Sequence, residues 1–267
     1  MDKELFLELV PNHCRGDLSS IRNKPGYEHV CPTVRAIESQ YYTVAACVLT
    51  TCLSELSPPA RARMLEYWIL VAQECQRLRN WASTYAIICA LQSPAIRRLC
   101  QTWGHVSWWS RRKLKALCRQ ARKHRRCKPL QVEQRCSFVS CLRNLGRRQG
   151  VVPFLGPFLQ ELESLDREME DFGGEVINKE KLTKETKILQ EIVLLQEAAE
   201  NYRLQPHDQF LTWFQDLELI SMEESFVLSF QREPPFEAFF YHLRQEGASL
   251  EATVHPYFNI SFSCACV

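Results

Sequence analysis

Apolar residues recur every three or four positions along most of this chain. Over 58–79 the spacing runs through Met64, Leu65, Trp68, Val71, Ala72, Cys75 and Leu78, with Ser57 as a cap and Pro58 in the first turn, and it predicts a core helix. The same period passes through Ile188, Leu189, Ile192, Leu195 and Ala199 in 186–202, and through Phe210, Phe214, Leu217 and Ile220 in 208–220. Residues 33–53 make a further apolar helix. No segment alternates with period two, and nine glycines leave little turn chemistry for a sheet. The expected fold class is all-α.

One stretch breaks the rhythm. In "ALQSPAIRRLCQTW" (90–103) the apolar positions Ala90, Leu91, Ile96, Leu99 and Trp103 are interrupted by Pro94. A proline inside a helix removes a donor and clashes with the carbonyl four residues back, at about 3 kcal/mol. Two helices meeting at Ser93-Pro94 are therefore expected, the second opening under a polar side chain and a fixed φ.

Composition adds mostly exclusions. A chain of 267 residues, 46% apolar and 24% charged, can bury a sizeable core in one or two domains. A net charge of +2 gives no global field toward nucleic acid or membrane, so no nucleic-acid partner is expected. Thirteen cysteines contain no CxxC, and "MDKELFLELV" places acids where a secretory signal carries bases, so the cysteines read as reduced thiols of a cytoplasmic protein. A zinc set of Cys118, His124, Cys127 and Cys136 fits no common spacing and sits in like positive charge, so no metal site is expected. The longest apolar run, 41–53, is 13 residues, short of the roughly 20 that cross a bilayer. Nucleotide loops, nucleophile elbows, zincin helices and EF-hand loops are all missing, which points away from covalent chemistry and toward binding.

Two segments differ from the rest. Residues 111–148 hold 14 Lys or Arg against one acid, Glu133. The run reads as a solvated basic helix and loop, with peripheral membrane contact through 111–148 as the minor alternative. After "FQREPP" the helical period fades, and 236–267 read as an appended tail. Its last four residues, "CACV", have the form of a prenylation box on Cys264, but Cys266 and Val267 suit it poorly, so an unmodified end is expected.

The segment "RARMLEYWILVAQECQRLRNWASTYAIICALQSPAIRRLCQTW" (61–103) resembles the core of the Ras-family guanine nucleotide exchange domain. The likeness extends back through "ELFLELVPNHCRG" and "EHVCPTVRAIESQYYTVAACVLTTCL", and forward through "GVVPFLGPFLQELESLD" and "EVINKEKLTKETKILQEIVLLQEAAENYRLQPHDQFLTWF". Within that family "HCRG", "CPTVRA" and "PHDQFLTWF" are most similar to the branch of Ral guanine nucleotide dissociation stimulator. The resemblance covers about residues 1–235, read as an exchange domain truncated at its N-terminus because relatives begin some tens of residues earlier. It implies an activator of GDP release from a Ras-superfamily GTPase, most simply Ral, with no cofactor and no covalent chemistry of its own. The alternative is a degenerate module that binds a GTPase or another partner without releasing nucleotide.

The family's mechanism implies a protruding helical hairpin, rising over about 157–170 and descending from near 175, that displaces one GTPase switch while a bowl of core helices grips the other. By resemblance the contacting residues are Val34, Arg35, Asn80, Phe154, Glu161, Glu163, Arg167 and Asn178. Arg35 would reach the second switch, and Val34 and Phe154 would form a pocket for a switch tyrosine. The departures concern the hairpin. Gln160 replaces a small hydroxyl in "LQEL", Pro157 suits a helix only at its start, and "INKEKLT" has Lys179 where relatives carry Phe and Leu182-Thr183 where they carry two bases. Loss of an apolar anchor predicts a loosely held hairpin and weak exchange.

Overall fold

A computed structural model describes residues 1–22, 24–27, 29–125, 150–173, 176–205 and 207–235. The tail from 236 with Cys264, and the basic run beyond Arg125 with Cys127 and Cys136, lie outside the described residues. Among the described residues twelve helices follow one another: α1 (Asp2–Leu7), α2 (Ser19–Arg22), α3 (Pro32–Ser54), α4 (Pro58–Arg77), α5 (Trp81–Leu91), α6 (Pro94–Arg97), α7 (Cys100–His105), α8 (Trp108–Arg125), α9 (Gly156–Glu168), α10 (Lys179–Ala199), α11 (Asp208–Asp216) and α12 (Met222–Arg232). The described residues are all-α apart from a short 3₁₀ turn (Pro11–Cys14) and a two-residue antiparallel pairing, Phe172–Gly173 with Val176–Ile177, between α9 and α10.

Local chemistry sets the helix starts. Ser57 caps α4 by accepting from Ala60 N at 3.3 Å, Asn80 caps α5 through Ser83 N at 3.1 Å, and Asn178 caps α10 through Lys181 N at 3.1 Å. Ser93 accepts from Ile96 N at 3.4 Å, and Pro94 occupies the first turn of α6, where its missing donor costs nothing. The expected break is there, but the helix after it is only one turn long. Leu99 leaves helical geometry, and a second short helix carries Trp103.

Side chains close two cores. The first joins α3, α4, α5 and the inner face of α8 through residues such as Val48, Leu53, Leu65, Ile69, Ile87 and Leu117, with Phe214 of α11 added. The second gathers Phe6, Val34, Val151, Leu155, Leu162, Ile192 and Leu195 from α1, α3, α9, α10 and the strand-like segment before α9. Each such aliphatic or aromatic side chain contributes about 1.5–3 kcal/mol on burial. The two cores meet at the turn into α5. Trp81 packs against both, and Asn80 pairs in parallel with Val152, Trp81 N donating to Val152 O at 2.8 Å. Gly150 opens that segment at φ +80°, with the Tyr202 ring where a Cβ would stand, so only glycine fits.

A polar centre ties the end of the described chain into the first core. Arg61, 0% exposed, donates to Thr102 Oγ1 at 2.8 Å, to the carbonyls of Glu55 and Leu56, and to Glu233 Oε1 at 3.1 Å. Glu233 also accepts from Gln101 N and Thr102 N, each at 2.8 Å, and from Thr102 Oγ1 at 2.6 Å. Burial alone would raise the Glu233 carboxyl, but the hydrogen bonds from Thr102, Gln101 and Arg61 outweigh it and hold it below the ordinary carboxylate range. Arg98 adds bonds to Ser229 O and Glu233 O at 2.7 and 2.6 Å, so α12 is part of the body.

Candidate functional site

Helices α1, α3, α5 and α8 and the segment 152–159 enclose an open groove of about 250 Å³. Its floor is aromatic. Phe154 stacks on Tyr85 with centroids 4.5 Å apart and leans on Tyr41 at 5.5 Å. Tyr85 is fixed in turn, its hydroxyl donating to Ala121 O of α8 at 2.6 Å. Gly156 lies directly under the Phe154 ring, in space that any Cβ would take from it. Ile37, Tyr41 and Val44 line the α3 wall, Ala82, Ala86 and Cys89 the α5 wall, and Leu159 the start of the hairpin. At the α1 edge Asp2 accepts from Asn80 Nδ2 at 2.6 Å and from Ser83 Oγ, giving the rim a fixed carboxylate. An aromatic-floored cleft with a few converging polar groups suits a large apolar side chain of a partner.

The hairpin rises beside the groove as α9 and returns as α10. Pro157 falls in the first turn of α9, so it costs no hydrogen bond. Gly16 lets the turn after the 3₁₀ segment approach α9 closely, since a Cβ there would meet the Leu162 carbonyl and Asp166. Phe158 and Leu162 bury the inner face of α9, and Gln160, Glu163, Arg167 and Glu168 are exposed.

The far end of the hairpin is held by charge. Lys181, 3% exposed, donates to Asp166 Oδ1 at 2.9 Å and lies 2.7 Å from Asp171 Oδ1. Burial works against the ammonium, but the hydrogen bonds from Lys181 to Asp171 and Asp166 offset it, and the Lys181 pKa is raised. Asp171 is held below its usual range by the Lys181 hydrogen bond, with the Lys181 and Arg15 charges helping. Asn178 closes the loop by donating to Glu170 O at 3.0 Å. Lys179 itself is exposed, so the position where an apolar anchor was missed is not the one that fixes the hairpin.

The expected contact residues separate into groups. Phe154 lines the groove; Glu161 is half-buried on α9, and Glu163 and Arg167 are exposed on it, forming an i,i+4 ion pair at 3.0 Å. Asn80 and Asn178 are half-buried helix caps at the two ends of the site. Val34 requires correction: it is 0% exposed in the second core and does not reach the groove, whose α3 wall is made by Ile37 and Tyr41, one and two turns further along the same side of the helix. Arg35 is half-buried, and its guanidinium is occupied by the carbonyls of Val30 (3.2 Å), Tyr27 (3.1 Å) and Arg22, so it clamps the loop before α3. Lys181, Tyr85 and Asp2 were not foreseen. Lys181 alone left a trace, a lysine in the first turn after an asparagine cap with two aspartates upstream.

Residues 1–183 match the RasGEF domain. Human Ral-GDS-related protein is 40% identical over 244 residues, covering 88% of this chain and 51% of that protein. Human Ral guanine nucleotide dissociation stimulator-like 2 is 37% identical over 261 residues, covering 88% and 34%. Human Ral guanine nucleotide dissociation stimulator-like 1 is 35% identical over 262 residues, covering 89% and 34%. The chain thus spans about half the length of the first of these relatives and a third of the others. Since the match runs over more than half of the sequence and takes in both the aromatic groove and the hairpin up to Thr183, the chain belongs to the RasGEF domain family.

Proposed function

We propose that this chain promotes GDP release from a Ras-superfamily GTPase, Ral in the first instance, and acts as a regulator without covalent chemistry. The observation that carries the reading is the aromatic groove at the foot of a braced hairpin, in a chain whose relatives are named as Ral guanine nucleotide dissociation stimulators. A GTPase holding its nucleotide at a Kd near 1 pM, about −16 kcal/mol, releases it slowly. A partner that binds the nucleotide-free form more tightly weakens nucleotide binding by the same coupling free energy. This requires a rigid surface, and a reactive group adds nothing to it. Here Phe154, Tyr41 and Tyr42 receive an apolar switch side chain, while Glu161, Glu163 and Arg167 of α9 approach the switch nearer the nucleotide. Arg35 acts through the loop it clamps. The protein works where its GTPase is, in the cytoplasm.

The test is release of fluorescent GDP from purified Ral, Ras and Rap with the chain added. Acceleration for Ral is expected, and Tyr42→Ala, at an exposed rim position, is expected to lower it about 30-fold, the loss of a hot spot of about 2 kcal/mol. A stable complex that leaves the release rate unchanged would replace exchange by simple binding.

A further inference from the structure

The outer surface of α8 has no part in the groove or the hairpin. Its inner face is core: Leu117, Cys118 and Ala121 are buried, and Leu114 packs behind them. The opposite face carries Trp108, Arg112, Lys115 and Arg119, spaced four, three and four residues apart and therefore on one stripe, all exposed. Trp108 is 60% exposed and its neighbour Trp109 66%. The helix start is firmly placed, because Ser107 N donates to Glu66 of α4 at 2.7 Å and Gln76 of α4 bonds Gln120 further along. No acidic residue occurs between Glu74 and Glu133, so α8 offers its stripe no counter-charge of its own.

Two features of this stripe are unfavourable in water. Arg112, Lys115 and Arg119 repel at i,i+3 and i,i+4 spacing, and a pair of indoles is left wet. One kind of partner relieves both. Phosphate and carboxylate headgroups neutralise the bases, and the headgroup zone of a bilayer is where Trp rings are favoured. The ring geometry argues against a nucleic-acid strand. Trp108 and Trp109 meet edge to face at 4.7 Å and 74°, and Arg112 covers the Trp108 ring at 5.2 Å, so the pair offers no parallel faces on which successive bases would stack.

We propose that the outer stripe of α8, led by Trp108 and Trp109, is a docking surface for an anionic lipid bilayer. The basic run read from the sequence as a solvated helix thus gains, in its described part, the apolar anchor that electrostatics alone lacks. The inference is independent of nucleotide exchange. Because Cys118 and Ala121 also line the groove, docking would hold the groove about one helix diameter, roughly 10 Å, from the membrane.

Flotation of the whole chain with vesicles tests this. Vesicles with about one-third phosphatidylserine in phosphatidylcholine are expected to carry the protein, and pure phosphatidylcholine to leave it behind, with binding falling as salt rises. Arg112→Glu with Lys115→Glu is expected to lower the partition coefficient about 20-fold or more, and Trp108→Ala with Trp109→Ala about tenfold. Quenching of tryptophan emission by brominated lipid should vanish in the Trp variant. All four side chains are exposed, so folding is checked by the circular dichroism and melting of each variant, and the salt titration of the unaltered chain needs no substitution. Equal binding to both vesicle types, undiminished binding by the charge variant, or binding of a single-stranded oligonucleotide in place of vesicles would overturn the proposal.

Discussion

Arg61 in the body and Lys181 in the hairpin are both buried cations with carboxylate partners, yet their settings differ. The partner of Arg61, Glu233, has a side chain only 6% exposed and takes its remaining bonds from the backbone and side chain of the α7 start. The partners of Lys181, Asp166 and Asp171, are 31% and 54% exposed. The first lock is desolvated on both sides, so it sits in a low dielectric, is hardly screened, and costs most when half of it is removed. The second has its anions in water, is screened by salt, and contributes modestly. The body is thereby built for permanence, and the hairpin is held by a clasp weak enough to open locally.

The largest expected effect follows from removing one side of the body lock. Glu233→Ala leaves the Arg61 guanidinium and two backbone donors without their acceptor, and should destabilise the chain by about 3–5 kcal/mol in urea unfolding. Arg61→Met combined with Glu233→Leu should recover the part due to the stranded guanidinium charge, while Gln101 N and Thr102 N still lack their acceptor. A double variant as unstable as the single one would mean that the lock contributes net stability beyond the removed charge.

Lys181→Met should cost only about 1 kcal/mol globally, since both carboxylates then face solvent. Its signature is local: faster amide exchange over 166–185 with the body unchanged. If exchange accelerates evenly over the whole chain, the hairpin is not a separable unit.

The pH response sharpens the same contrast. The Asp171 pKa is depressed, so its contribution is present above the unfolded value near 3.8 and is lost as pH falls through the lower folded value. The Lys181 pKa is raised, so its contribution is full below 10.5 and is lost as pH rises through the higher folded value. Hairpin protection should therefore hold between about pH 4 and about pH 10 and fade outside that window. Added salt should weaken it at neutral pH while leaving body protection nearly unchanged. Amide exchange across a pH and salt series measures both.

The smallest effect is expected at Lys179. Lys179→Phe places an aromatic ring at an exposed position and should change stability by less than about 0.5 kcal/mol. A gain above about 1 kcal/mol would show that an apolar anchor can still form there.

Legibility followed the range of the interactions. The caps at Ser57 and Ser93 and the first-turn prolines Pro58 and Pro94 are readable because each depends on neighbours within one turn, whereas the helix at 156–168 rests on the resemblance and Asn178 stands there as a contact, its capping role visible only in the structure. A loosely held hairpin is expected from the absent aromatic at Lys179, and the structure adds a fastening two residues on, where Lys181 meets Asp166 and Asp171. Val34 and Arg35 stood in a recognisable motif, but a motif does not say which way a helix face turns.

The sequence by itself determined the helices, their breaks and the family, because periodicity, caps and motif blocks are local or directly comparable. Only the tertiary structure decided which charges are buried and what they meet. Arg61 and Glu233 are 172 residues apart, the groove is closed by five separate segments, and the stripe on α8 becomes a surface only once its other face is seen in the core. Desolvation depends on every atom packed around a group, and one-dimensional spacing carries no record of it.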